Sequence, residues 1–137
     1  TVAESWAPTM QALTQIAERV VYVEDTPFPQ KDIPECISGH TDDWSKCALS
    51  RSTSLWPDAF MRQQRRQPTP GVVTVSINDL LCPASYGQAC PAVRGGTLLY
   101  RDNSHLTRTA TLALAPAFVA RVTKELEKTQ ALEKEGG

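Results

Sequence analysis

What these 137 residues lack narrows the function before any motif is read. There is no glycine-rich phosphate loop, no basic stripe interleaved with aromatics and no low-complexity segment. The formal net charge of -1, from 14 basic and 15 acidic residues, offers no long-range attraction to nucleic acid or to an anionic membrane. No uncharged apolar run approaches the roughly 20 residues a bilayer span needs. The opening "TVAESWAPTM" has neither the basic start nor the apolar centre of a signal peptide. Thr1 is an unusual native start, so the sequence reads as a processed or cut-down piece.

Four cysteines are present as two local pairs, Cys36 with Cys47 and Cys82 with Cys90. A zinc site calls for closer spacings and for histidine in the cluster, and only His40 lies near a cysteine. The simplest reading is two disulfides, Cys36–Cys47 and Cys82–Cys90; the alternative is four buried thiols. Each closed loop would stabilise the fold by roughly 2–3 kcal/mol in the chain-entropy model. Disulfides imply an oxidising compartment such as the outside of a bacterial membrane. No metal and no cofactor is expected.

The apolar pattern predicts a helix over residues 3–17 and a buried strand at "RVVYVED", residues 19–25. Pro27, Pro29 and Pro34 then force a long loop. Ser54 offers an N-cap and Pro57 a first-turn position for a helix reaching about Gln67. "VVTVSIND", residues 72–79, reads as a second strand and "GTLLYRD", residues 96–102, as a third. From Thr107 the period is helical, kinked or restarted at Pro116, with a charged tail over 126–137 that should fray. Helices alternating with unbroken apolar strands argue for an α/β layered domain with a mostly parallel sheet. In such sheets the chemistry lies beyond the carboxyl ends of strands. Asp25, Asn78, Asp79, Asp102 and His105 all fall there, and clustering at one rim is the expectation.

"YVEDTPFPQKDIPECI", "VVTVSINDLLCP" and "LLYRDNSHLT" together resemble the SGNH (GDSL-type) hydrolase superfamily. The resemblance is sharpest to the extracytoplasmic SGNH domain fused behind acyltransferase-3 membrane domains in bacteria, and it runs from about residue 6 to 122. Asp102-x-x-His105 matches the superfamily's last signature block in spacing and context. The first block, a Gly-Asp-Ser that supplies the nucleophile, has no counterpart, nor do the glycine and asparagine blocks that form the oxyanion hole. Asn78 sits on a later strand than the family's asparagine, so that role is not carried to it.

The resemblance therefore implies a three-layer αβα sandwich with a mostly parallel sheet, incomplete at its N-terminal side. Residues 1–137 would be the C-terminal portion of a single domain. It implies an extracytoplasmic O-acyltransferase part, moving an acetyl group to a cell-envelope glycan or glycolipid. His105 would be the general base and Asp102 its orienter, with the serine supplied from elsewhere. The implied partners are the missing N-terminal half, a membrane acyltransferase-3 domain that tethers the protein on the periplasmic side, and the glycan acceptor; nucleic acid is not among them. Two other readings stay open: a non-catalytic SGNH-like binding or structural module, and a secreted carbohydrate esterase. A parallel sheet without its first strands would also expose an apolar edge, making the isolated chain insoluble or swapped.

Each singled-out residue has a plainer reading as well. Asp102 could simply cap the turn that follows it, leaving His105 as a surface residue. Arg101 and Asp25 are candidate substrate contacts, with an ion pair and a turn start as their alternatives. His40 reads as a solvated loop residue, Asp42 and Asp43 as solvated acids rather than calcium ligands. Arg62, Arg65 and Arg66 read as an exposed helix face. Trp44 and Trp56 could stack on sugar rings or could be packing groups.

Overall fold

The computed structural model describes residues 2–135. In chain order it forms α1 (Val2–Thr14), β1 (Val20–Val23), α2 (Ile33–Gly39), β2 (Leu49–Ser50), α3 (Arg51–Ser54) and α4 (Ala59–Arg66). There follow β3 (Val72–Val75), α5 (Asn78–Leu81), β4 (Ala89–Cys90), β5 (Val93–Arg94), β6 (Thr97–Leu98) and α6 (Arg108–Glu135). Two compact units share these elements. One takes in the chain up to Asp25, Pro57–Ser76 and the chain from Ala117; the other takes in Thr26–Trp56 and Ile77–Pro116.

In the first unit β1 and β3 pair in parallel, Val20 with Val72 through Val23 with Val75. Both are runs of β-branched residues with one tyrosine, Tyr22, types that suit a pleated, half-buried surface. The turn into β3 needs Gly71, whose φ is 77° and whose carbonyl accepts from the Val20 N–H. A Cβ there would also press on the Thr14 side chain at 3.3 Å, so another residue would be strained twice over. Trp6 of α1, Tyr22 of β1 and Phe60 of α4 form one aromatic cluster, with Tyr22 and Phe60 centroids 4.5 Å apart.

Helix α4 starts later than expected. Its cap is Asp58, whose Oδ1 accepts from the Met61 N–H at 2.8 Å, while Ser54 instead closes the short α3. A carboxylate three residues before an N–H is the stronger cap because its charge also meets the helix dipole. The other carboxylate oxygen of Asp58 accepts from the Tyr22 hydroxyl at 2.7 Å. Burial, and next that bond, push the Tyr22 pKa up, so the phenol stays a donor.

The second unit holds the disulfides Cys36–Cys47 and Cys82–Cys90. Cys47, Cys82 and Cys90 are buried in its core beside Ile33, Leu49, Leu81, Leu99 and Tyr100. β2 pairs antiparallel with β4, placing Leu49 opposite Cys90 and so lacing the two cross-linked loops together. β5 and β6 form a hairpin around Gly95–Gly96, both at positive φ. That is the backbone a two-residue turn requires.

The chain is thus mixed α/β, but its strand pairs are one parallel and two antiparallel among the described residues. The third strand, expected over residues 96–102, is shorter, Thr97–Leu98, and pairs antiparallel with Val93–Arg94 across the Gly95–Gly96 turn, so the sheet is not mostly parallel here. The second strand also ends early, at Val75, and Asn78 opens α5, since Asn and Asp favour turns over ladders. α6 runs through Pro116 without a break and on to Glu135. It therefore includes most of the charged tail expected to fray, where Lys128 pairs with Glu125 at 2.7 Å; Gly136 and Gly137 lie outside the described residues. None of the described helices is long and apolar enough to cross a membrane.

Candidate active site

The segment between β6 and α6 is shaped by its own backbone. Tyr100 and Leu106 form an antiparallel bridge, the Arg101 N–H donates to the His105 carbonyl at 2.9 Å, and the Thr107 N–H to the Leu99 carbonyl at 2.8 Å. Thr107 also caps α6, its Oγ1 accepting from the Ala110 N–H at 3.0 Å and donating to the Leu98 carbonyl at 2.7 Å. Tyr100, fully buried, anchors the loop from below. Its hydroxyl has no hydrogen-bond partner among the described residues, and burial pushes its pKa up.

Within this closed loop Asp102 uses its two oxygens differently. Oδ1 accepts from the His105 N–H at 2.7 Å and the Ser104 N–H at 2.8 Å. Oδ2 lies 2.8 Å from His105 Nδ1. The two readings of Asp102, as turn cap and as partner of the imidazole, are therefore both satisfied in one conformation. The His105 N–H bond, and after it the Ser104 N–H bond, hold the Asp102 carboxyl well below the usual carboxylate range. It is ionised throughout the physiological range.

An ionised carboxylate on Nδ1 keeps the ring proton there and leaves the basic lone pair on Nε2. No described residue bonds that nitrogen, and the His105 side chain is 64% exposed. Ser104 Oγ lies 3.2 Å from Nδ1, the nitrogen whose proton is directed to Asp102. Its hydroxyl is thus on the wrong side of the ring to be deprotonated.

Arg101 is exposed, with Nε 3.5 Å from Asp102 Oδ2, a contact that water largely screens. Asp25 lies two residues past β1, exposed, in the first unit. His40 is half-buried; its Nδ1 lies 2.9 Å from the Cys36 carbonyl and 3.9 Å from each sulfur of the Cys36–Cys47 cystine. Those sulfurs bond each other, so neither is a thiolate ligand. Asp43 caps the 3₁₀ turn Trp44–Cys47, and bonding to the Ser45 hydroxyl, then to its N–H, lowers its pKa. Asp42 pairs with Lys46 at 3.3 Å. Arg62, Arg65, Arg66, Trp44 and Trp56 are all exposed.

Two residues escaped the sequence reading. Thr107 carried a signal, a hydroxyl residue directly before a helical run. Arg51 carried none: it donates to the carbonyls of Cys82, Pro83 and Gly87, fastening a loop more than thirty residues away.

A mixed α/β protein with an Asp-x-x-His pair between a strand and a long helix belongs to a recognisable class. A family model, the SGNH domain (fused to AT3 domains), matches residues 3–120, and the chain belongs to that family. It is an SGNH module of the kind associated with acyltransferase-3 domains. The fusion and the two disulfides are consistent with an extracytoplasmic location. No curated protein and no solved structure matches the chain.

Proposed function

We propose that this chain supplies the base half of a serine-type acyl-transfer site, acting in O-acetylation of a cell-envelope glycan or glycolipid. The observation that carries the reading is the 2.8 Å contact of Asp102 Oδ2 with His105 Nδ1, with Nε2 left open. The nucleophilic serine comes from residues outside this sequence, which contains no Gly-Asp-Ser triplet.

In this reading His105 Nε2 takes the serine proton as the hydroxyl attacks an acyl carbonyl, then returns a proton to the departing oxygen. Asp102, already ionised, stabilises the imidazolium that forms and holds the ring in the right tautomer. A sugar hydroxyl then attacks the acyl-enzyme, with Nε2 again the base. Transfer rather than hydrolysis requires that hydroxyl to be positioned ahead of water. The acyltransferase-3 domain would deliver the acyl group across the bilayer. Further strands from the upstream half would extend the β1–β3 pair into a three-layer sandwich.

The test is turnover of p-nitrophenyl acetate by the full-length protein. His105→Ala should lower kcat/KM by at least about 100-fold, the low end of general-base catalysis, with the fold retained by circular dichroism. Unchanged turnover would contradict the proposal.

A further inference from the structure

The second unit contains a cavity of about 440 Å³ whose lining includes neither Asp102 nor His105. That lies within the roughly 300–1,000 Å³ of small-molecule sites. Trp44 and Tyr86, 50% and 46% exposed, line it together with Ala89, Pro91 and Val93. No charged side chain lines it, and Ser45 and Tyr86 supply its side-chain hydroxyls. Gly95 and Gly96 also line it, and an added Cβ at either would meet nothing within 4 Å.

The backbone that carries each ring is anchored before any ligand arrives. Trp44 begins the turn that Asp43 caps and the Cys36–Cys47 disulfide ends. Tyr86 ends a 3₁₀ turn, Ala84–Tyr86, inside the Cys82–Cys90 loop that Arg51 fastens. Holding two aromatic rings half in water forgoes apolar burial. The anchored backbone lowers the loop-ordering cost a ligand would otherwise meet.

We infer that this cavity binds an uncharged pyranose ring, stacked against Trp44 and Tyr86. A pyranose has a face of C–H bonds and a rim of hydroxyls. The carbon-rich wall covers the face, the half-exposed mouth leaves the rim in water, and Ser45 can accept from a sugar hydroxyl. An acyl chain at the same mouth would leave hydrocarbon in water. The uncharged lining gives a phosphate or uronate no counter-charge.

Saturation-transfer NMR on the full-length protein tests this with neutral trisaccharides (cellotriose, maltotriose, mannotriose) and with octanoate as the acyl-chain probe. At least one trisaccharide should bind with saturation concentrated on ring C–H protons. Trp44→Ala and Tyr86→Ala should each weaken it roughly tenfold, the scale of one stacked ring, and Trp44→Phe should restore most of the loss. The two alanine variants touch different disulfide loops, so misfolding of one leaves the other informative. His105→Ala should bind as the wild type does, which separates failure of the subsite from failure of the catalytic reading. No trisaccharide binding, preferential octanoate binding, or unaltered affinity in both alanine variants would overturn the inference.

Discussion

The first unit is built on four consecutive parallel pairs between β1 and β3, an aromatic cluster and two capped or anchored helices. In the second unit no strand exceeds two residues among those described. Order there comes from two disulfides, a β2–β4 pair that joins their loops, Arg51 on three carbonyls and a self-closing turn at Asp102. The difference teaches where each kind of stability is useful. Regular pairing needs long apolar runs and presents few polar groups. Cross-linked and hydrogen-bonded loops can display an exposed imidazole and two exposed rings on an anchored backbone.

The largest effect should come from breaking the Asp102 end of the pair. Asp102→Asn in the full-length protein should lower acetyl-ester turnover by about 10²–10⁴-fold, because an amide no longer dictates the imidazole tautomer. A loss below tenfold would demote Asp102 to a turn residue.

Reduction of the disulfides tests the contrast between units directly. Each cross-link lost should destabilise the second unit by roughly 2–3 kcal/mol. Hydrogen exchange should then accelerate at Leu49 and Cys90 while Val21 and Val73 keep their protection. Equal loss in both units would erase the distinction. Asp58→Ala probes the first unit in turn: losing the α4 cap should cost about 1 kcal/mol, with more from the orphaned Tyr22 hydroxyl, read as a fall in thermal midpoint.

The smallest effect concerns pH. The folded Asp102 pKa is depressed, so its contribution is present above the unfolded value of about 3.9 and is lost as pH falls through the lower folded value. Amide protection at Ser104 and His105 should therefore be flat from pH 7 to 5 and fade only in stronger acid. Fading near neutrality would contradict the geometry.

Much of the first unit was legible. "VVYV" and "VVTV" are unbroken runs of strand-favouring residues, apolar but for Thr74, and a parallel pair produces that pattern. The cysteine spacings pointed to the bonded pairs, and Asp-x-x-His placed two side chains where one turn brings them together. At the α4 start Ser54 and Pro57 advertise a cap as well as Asp58 does; only the reach of Asp58 to both Met61 and Tyr22 separates them. The hairpin is written in Gly95–Gly96, but strands of two residues leave no alternation to read. Arg51 and the Trp44–Tyr86 cavity depend on contacts far apart in the chain, which no local pattern encodes.

The central claim, an imidazole at His105 serving a serine from beyond these residues, is tested most directly by covalent trapping. The full-length protein would be treated with a fluorophosphonate and the labelled peptide identified by mass spectrometry. The account predicts one labelled serine outside this sequence in the wild type and no labelling in His105→Ala. Equal labelling of the two proteins, or a label on Ser104, would contradict it.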